Sequence, residues 1–303
     1  MAFAMRPLTV ESALQDGLVP HLNARGDQFV QFYQRIPFGK YLYLPFELNY
    51  NTHPGTEFAR NHWAIPITCV VVYMAAIFFG KMYMASRQRM DLRYKLAYWN
   101  AFLSIFSFIG ALRTVPDLLY RLGSEDISST ICTAPSSSWG AGATGLWVQL
   151  FIFSKIPELV DTYFIVARQR PLIFLHWYHH VTVLLYCWHS YATEASQALY
   201  FVAMNYSVHA MMYGYYCLMA LKMAPPWLPP VLITMAQISQ MFVGVAVQLA
   251  ASYKYLTGAP GCSVNGANVF WGGIMYTSYF ALFAKFAIDR YLRRPIKGAK
   301  HIE

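Results

Sequence analysis

The chain has 303 residues, of which 57% are hydrophobic and only 12% are charged. Ordinary soluble domains carry about 25% charged residues, so this composition excludes a typical soluble protein and indicates a membrane protein. The net charge of +9 would suit nucleic-acid binding, but the positions of the charges along the chain argue against that class of partner.

In chain order, residues 1–62 come first as a near-neutral region with scattered aromatics and prolines, predicted to be a lumenal or interfacial segment. Its start lacks the apolar core of a secretory signal. Residues 63–290 contain apolar stretches that approach the roughly 20 residues a spanning helix needs, which predicts an all-α, polytopic membrane domain. A basic tail, 291–303, follows. The seven predicted spans are 64–80, 96–113, 142–167, 172–191, 198–221, 231–253 and 269–288.

Basic residues are concentrated in alternate loops between these spans. The loops after the first, third and fifth spans, together with the tail, hold thirteen Lys and Arg, whereas the other loops hold two, Arg121 and Lys254. Because cytosolic loops carry the excess of Lys and Arg, the C-terminus is predicted in the cytosol and the N-terminus on the opposite side. The excess of basic over acidic residues therefore reflects membrane topology, and no nucleic-acid partner is expected.

The cysteines divide according to this topology. Cys69, Cys187 and Cys217 lie within spans, whereas Cys132 and Cys262 fall in two loops on the non-cytosolic side. Disulfides persist in such a compartment. We therefore predict a Cys132–Cys262 bridge between the loops that follow the second and sixth spans, against the alternative of two free thiols.

The fourth span, LIFLHWYHHVTVLLYCWHSY, is apolar but contains His176, His179 and His180. Their spacing of i, i+3 and i+4 places all three on one face of a helix. Polar clusters in a membrane helix are costly unless they face a protein interior or a wet cavity. These histidines are thus a candidate functional site, against the alternative that they only hydrogen-bond neighbouring helices.

Neighbouring spans contribute polar groups that are predicted to converge on the histidines. The alternative is an intramembrane ion-pair ladder with amides that join helices. The groups are Lys155, Glu158, Asp161 and Thr162 on the third span, Asn205, His209 and Tyr213 on the fifth, and Thr234, Gln237 and Gln240 on the sixth.

Four motifs occur in order on successive spans: KIPELVDT, HWYHH, NYSVHAMMY and TMAQISQ. With WNAFLSIFSFIGALRT in the second span, they resemble the ELO family of very-long-chain fatty-acid elongases. The HWYHH motif, called the histidine box below, contains Trp177. In this respect the chain resembles the subgroup of the family that acts on saturated and monounsaturated chains. The resemblance implies a condensing enzyme of the endoplasmic reticulum membrane, in which spans two to seven form a barrel around an acyl tunnel.

The reaction implied joins malonyl-CoA to an acyl-CoA and gives a 3-oxoacyl-CoA, CO2 and CoA, without a cofactor or metal. The implied nucleophile is His179, as an acyl-imidazole, with His209 orienting it or holding the thioester oxygen. Lys155 would attract the malonyl carboxylate or a CoA phosphate, and Glu158 and Asp161 would position Lys155 and the histidines. Spacing leaves open which histidine is nucleophile and which is base. Further donors are expected at His176, His180 and Asn205, substrate contacts at Thr162, Tyr213, Gln237 and Gln240, and CoA contacts at Arg168, Tyr215, Lys222 and Thr234.

Three alternatives stand beside this interpretation. A cysteine nucleophile would be Cys187 or Cys217, each about two turns from the nearest candidate histidine. A di-iron desaturase needs about eight histidine ligands, and the spans hold five. A seven-helix lipid or small-molecule transporter would also carry intramembrane charges. The expected partners of the elongase are the two CoA substrates, membrane lipid, a second copy of the chain, and the reductases and dehydratase of the elongation cycle.

Overall fold

The computed structural model describes residues 5–23, 25–36 and 38–292, and most of their regular structure is helical. The α-helices are α1 (Val10–Gln15), α2 (Pro45–Leu48), α3 (His53–Asn61), α4 (Ala64–Ala85), α5 (Arg93–Ser124), α6 (Ile127–Cys132), α7 (Gly142–Ser154), α8 (Val160–Ala167), α9 (Phe174–Ala192), α10 (Ala198–Leu221), α11 (Pro230–Leu256) and α12 (Gly266–Ala287). Shorter 3-10 turns span Phe32–Arg35, Gly39–Leu42, Pro135–Ser137 and Pro157–Leu159, and a π turn spans Ile288–Leu292. The strands β1 (His21–Leu22) and β2 (Gln28–Phe29) add a small antiparallel hairpin to the predicted helical fold.

Helices occupy all seven predicted spans. The fifth span is α10 with the predicted bounds, whereas α5 runs well beyond the second span at its C-terminal end. By length and composition, three helices of the described chain could cross a membrane on their own, namely α4, α5 and α11. Most of the predicted basic tail lies outside the described residues, which end at Leu292.

The third predicted span is not one continuous helix. It divides into α7 and α8, with the 3-10 turn Pro157–Leu159 between them. Proline lacks a backbone N–H and its ring clashes with the preceding turn, so Pro157 interrupts the α-helical hydrogen bonds. The prediction of a single helix over 142–167 is therefore wrong, and the polar residues around Pro157 do not share one straight helical face.

Two long helices, α5 and α10, pack against each other along much of their length. Gly110 permits the close approach, because a Cβ at this position would overlap the Tyr206 ring. Ser104 Oγ donates across the interface to the Ala210 carbonyl at 2.8 Å. On the other side of the bundle α12 packs against both α9 and α11. These helices surround the interior in which the candidate residues lie.

Helix α4 stands at the outside of the bundle, where it contacts α8 and α9. Only Pro66, Tyr73 and Met84 are buried on this helix, while Phe78 and Phe79 are more than half exposed. An apolar surface of this kind is suited to lipid rather than to water.

The described residues between positions 5 and 62 pack across one end of the bundle, which we call the capped end. Trp188 Nε1 on α9 donates to the Ala59 carbonyl on α3 at 2.8 Å. Arg113 Nε on α5 donates to Glu47 Oε1 on α2 at 2.9 Å. Burial alone would raise the pKa of Glu47, but this bond and others hold that pKa below its usual value. The opposite end, where Arg93 donates to the last carbonyls of α10, is called the basic end.

The predicted disulfide is confirmed: Cys132 and Cys262 are bonded across 130 residues of chain. Ser263 N also donates to the Cys132 carbonyl at 2.9 Å, so the two loops are joined by backbone as well. The bridge ties the end of α6 to the segment between α11 and α12.

Removing this bridge is expected to lower stability without changing the reaction. A cross-link that closes a long loop typically stabilises by about 2–4 kcal/mol through the unfolded state. A Cys132→Ser/Cys262→Ser variant should therefore melt at a lower temperature in detergent while keeping its kcat on folded protein. An unchanged melting temperature would contradict the prediction, and Cys217→Ser serves as the control for loss of a thiol.

Candidate active site

A largely apolar cavity lies between α7, α9, α10, α11 and α12. Both His179 and Ser190 border it, and these residues are eleven positions apart on α9, which corresponds to about 16 Å of helix. His179 lies nearer the basic end, and Ala195 and Asn268 close the cavity at the capped end. The apolar part of the wall includes Phe151, Val183, Phe201, Met241 and Tyr276.

His179 borders this cavity, and Tyr279 on α12 contacts both its backbone and its ring. The Tyr279 hydroxyl donates to the His179 carbonyl at 3.1 Å and lies 2.6 Å from Thr182 Oγ1. The rings of His179 and Tyr279 are 5.0 Å apart between centroids. Within the described residues no hydrogen bond engages either ring nitrogen of His179, so the imidazole is available to a ligand in the cavity.

The other two histidines of the HWYHH motif, His176 and His180, lie against α8 and α4. His176 Nε2 lies 2.9 Å from Thr162 Oγ1, which lies 2.8 Å from the Tyr73 hydroxyl. His180 is buried beside them, with its ring centroid 4.5 Å from that of His176. The structure thus places Thr162 in a hydrogen-bonded chain that orients His176. Tyr73, on the outer helix, is a member of the site that the motif pattern did not indicate.

Lys155 and Glu158 form a buried ion pair at the break between α7 and α8. Lys155 Nζ lies 2.7 Å from Glu158 Oε1, and Ser154 Oγ donates to the same oxygen at 2.8 Å. The ammonium also lies 4.0 Å from the centre of the Phe151 ring. Both charged residues are at most 4% exposed. Glu158 is thus the ion-pair partner of Lys155, and this burial does not favour contact between Lys155 and a CoA phosphate.

Asp161 binds two neutral donors rather than Lys155 or a histidine of the fourth span. Trp99 Nε1 on α5 donates to Oδ1 and the Tyr213 hydroxyl on α10 donates to Oδ2, each at 2.6 Å. The Tyr213 ring lies 5.3 Å from that of His209 between centroids. Asp161 is therefore hydrogen-bonded to Tyr213, whose ring packs against that of His209. The partner Trp99 lies on a span that the sequence marked only as part of the family resemblance.

Two carboxamides face the cavity near His179. Asn205 on α10 and Gln240 on α11 both border it and are each at most 9% exposed. In the described part of the chain, Asn205 Oδ1 is buried and has no hydrogen-bond partner. Gln237 instead points to α10, where its Nε2 lies 3.1 Å from Met212 Sδ. The sequence placed all three near the histidines, and the structure brings Asn205 and Gln240 to the cavity.

The four candidate CoA contacts lie toward the basic end but differ in accessibility. Lys222 is exposed and ends α10 in a left-handed conformation, and Arg168 is half-buried after α8. Tyr215 and Thr234 are buried, with Thr234 Oγ1 3.2 Å from the Tyr291 hydroxyl. The two basic residues are therefore the more accessible candidates for an anionic head group.

A buried polar network closes the capped end of the cavity, and sequence reasoning missed it. Asn268 donates to Ser190 Oγ at 2.7 Å and accepts from Gln197 Nε2 at 2.9 Å. Gln248 Nε2 reaches the Val269 carbonyl at 3.1 Å. Four separate segments supply these groups, so no local motif marks them. Their bonds fix the end of the cavity as a rigid floor.

Cys187, the rival nucleophile, also borders the cavity, on the capped side of His179. Burial and an apolar wall surround it. A thiol reacts as its thiolate, and apolar burial disfavours that form. The geometry therefore favours the imidazole over the thiol as nucleophile.

An apolar cavity with an imidazole on its wall, inside a bundle of long helices, suits a membrane enzyme that handles long acyl chains. The family comparison agrees with this class. Residues 58–299 match the ELO family, described as the GNS1/SUR4 family, and the chain belongs to it. It is thus a multi-pass membrane protein and a very-long-chain fatty-acid elongase, the condensing enzyme of elongation.

Curated relatives are similar over most of the chain. "Very long chain fatty acid elongase 6" of Drosophila melanogaster is 44% identical over 222 residues, covering 73% of this chain and 70% of its own. "Putative fatty acid elongase 3" of Caenorhabditis elegans is 40% identical over 255 residues, covering 84% of this chain and 78% of its own. "Very long chain fatty acid elongase 3" of Homo sapiens is 38% identical over 253 residues, covering 84% of this chain and 91% of its own. These relatives favour the condensing enzyme over the transporter.

Proposed function

We propose that this elongase binds a long-chain acyl-CoA with its acyl chain in the cavity and transfers the acyl group to His179. One observation carries the proposal: the His179 imidazole borders an apolar cavity that extends about 16 Å along α9 away from it. A chain in this cavity would place its thioester beside the imidazole and its CoA toward the basic end, near Arg168 and Lys222.

The first half-reaction forms a bond between a ring nitrogen of His179 and the acyl carbon, and breaks the carbon–sulfur bond. The CoA thiolate leaves and takes up a proton, while the imidazole loses its N–H proton. In the second half-reaction malonyl-CoA loses CO2, and the resulting enolate carbon attacks the acyl carbon. The carbon–nitrogen bond then breaks, which gives 3-oxoacyl-CoA and an imidazole that is reprotonated. Splitting one hard step into two is the advantage of covalent catalysis.

Both half-reactions place negative charge on the acyl oxygen. Asn205 and Gln240 border the cavity with His179 and carry N–H donors, so they are our candidates to stabilise that charge. His209 would hold or orient the reacting group, with its own position fixed through Tyr213 and Asp161. His176 and His180, which lie on the side of α8, would donate or accept the remaining protons.

We further propose seven spans with spans two to seven around the acyl tunnel, a lumenal segment over residues 1–62, a membrane domain over 63–290 and a cytosolic tail over 291–303. The alternation of basic loops supports this topology, in which the basic end would face the cytosol. Family membership supports the endoplasmic reticulum as location, and a homodimer, the reductases and the dehydratase of the cycle as partners.

Saturated and monounsaturated acyl-CoAs are the proposed substrate class. Trp177 in the HWYHH motif supports this choice. The apolar wall of the cavity is consistent with either kind of chain.

Incubation with palmitoyl-CoA in the absence of malonyl-CoA tests the mechanism. We expect the intact mass to rise by one acyl group and peptide mapping to assign the adduct to His179. Adding malonyl-CoA should release the adduct as a 3-oxoacyl-CoA two carbons longer. Elongation without any adduct across an acyl-CoA series would contradict the covalent step while leaving the overall reaction intact.

A further inference from the structure

The loop between α9 and α10 forms the floor of the cavity at the capped end. Ala195 borders the cavity from this loop, and Trp139 Nε1 donates to the Ala195 carbonyl at 3.0 Å. Ala195 N in turn donates to the Ser190 carbonyl at 2.9 Å. Any displacement of this loop therefore changes the space available to the far end of a bound chain.

Residue Glu194, directly before Ala195, is held from outside by the N-terminal segment. Arg25 Nη1 and Nη2 donate to its two carboxylate oxygens at 2.9 and 2.6 Å. Thr56 Oγ1 on α3 adds a third bond at 2.9 Å, and Arg60 lies 3.8 Å away. Burial alone would raise the pKa of Glu194, but the bonds from Arg25 and Thr56 hold that pKa below its usual value.

The backbone of Glu194 also needs this support. Its φ of +51° lies in the left-handed region, which residues other than glycine adopt at a cost. Such a conformation persists when the surrounding contacts over-determine it. Arg25 belongs to the connection between β1 and β2, and it precedes the part of the chain that matches the family, residues 58–299.

We propose that the Arg25–Glu194 ion pair is a specificity-positioning contact, through which the N-terminal segment of this chain fixes the cavity floor and limits the acyl length that the enzyme extends. The proposal rests on the proposed binding of the acyl chain in the cavity. In this proposal Arg25 does not contact the substrate. It acts on Glu194, and the backbone step from Glu194 to Ala195 carries the effect to the floor.

The pair contributes selectivity because the floor must resist the push of a longer chain. Without Arg25, Glu194 keeps Thr56 and a distant Arg60, so the loop retains its fold but yields more readily. Longer chains should then be accepted with less loss of transition-state binding, whereas chains that end short of the floor should react as before.

A double-mutant cycle with Arg25→Met and Glu194→Gln tests this inference on the full-length protein. Saturated acyl-CoAs of increasing length are each supplied with malonyl-CoA, and kcat/KM is measured for each. One methylene in an apolar pocket changes discrimination by about tenfold or more, so we expect at least that rise in the long-to-short kcat/KM ratio for each single variant. The double variant should shift the ratio no further than either single variant, because both substitutions remove the same contact.

Two further variants separate this effect from general destabilisation. Arg35→Met removes an ion pair to Asp16 inside the same N-terminal segment, away from the α9–α10 loop. It should lower the melting temperature without changing chain-length preference. Ala198→Leu, which fills the cavity beside the floor, should shift the preference to shorter chains and so verifies that the assay reports on the cavity.

Equal shifts in Arg25→Met and Arg35→Met, or no shift in either, would overturn the inference and leave Arg25 a structural residue. Additive shifts in the cycle would also overturn it, because the two residues would then act independently. Failure of the unmodified protein to elongate any acyl-CoA would instead reject the proposed function on which the inference rests.

Discussion

Replacing His179 with alanine is expected to abolish the acyl adduct and to lower kcat for condensation on the order of 10³-fold or more, since loss of a nucleophile has effects of this size. The structure gives the reason. His179 borders the cavity with its ring nitrogens unengaged by described residues, whereas His176 is bound to Thr162. Intact-mass measurement after a brief incubation with palmitoyl-CoA, followed by steady-state kinetics, provides both readouts.

A matched control is available on the same helix. His189 lies ten residues further toward the capped end, and its Nε2 has no partner among the described residues. His189→Gln removes an imidazole from α9 but should retain the adduct and most of kcat. His209→Ala should slow formation of the adduct while still allowing it, since His209 is proposed to orient or stabilise the reacting group. An adduct that persists in His179→Ala would assign the covalent step to another residue.

The sequence predicts the components of this site better than their connections. Helical periodicity places the histidines of the fourth span together, and loop topology pairs Cys132 with Cys262, because both inferences depend on local spacing or on alternation of sides. The site also uses Tyr73 and Trp99, whose hydrogen bonds to Thr162 and Asp161 join residues 89 and 62 positions apart. Single-sequence periodicity has no information about such distant pairs.

Pro157 marks the break in the third span in the sequence, but a proline alone does not decide whether a helix ends. Pro116 lies inside α5 and does not end that helix. A proline in the sequence therefore does not by itself predict where a helix ends. The cap formed by residues 5–62 was likewise beyond prediction, because its contacts, such as Arg113 with Glu47, join residues 66 positions apart.

Lys155 is the second residue for which we expect a large effect, on stability rather than on substrate binding. Lys155→Met leaves the Glu158 carboxylate buried without its cation, and breaking a buried ion pair in this way typically costs about 3–5 kcal/mol. We expect a marked fall in melting temperature in detergent and a lower yield of folded protein. Ser154 Oγ, which also donates to Glu158, offsets only part of the loss.

The double variant Lys155→Met/Glu158→Gln distinguishes a structural pair from a substrate contact. Removing both charges eliminates the uncompensated carboxylate, so stability should recover toward that of the unmodified protein. If Lys155 serves only Glu158, the KM for malonyl-CoA should stay close to its original value in this double variant. If Lys155 attracts the malonyl carboxylate, that KM should rise in both variants, whatever the melting temperature does.

The structure favours the first outcome for two reasons. The Lys155 ammonium is engaged by Glu158 at 2.7 Å and lies over the Phe151 ring, so a carboxylate ligand would have to displace its partner. Phe151, the ring that the ammonium contacts, itself borders the cavity. A stable Lys155→Met variant with a raised KM for malonyl-CoA would show instead that Glu158 releases Lys155 to the substrate during turnover.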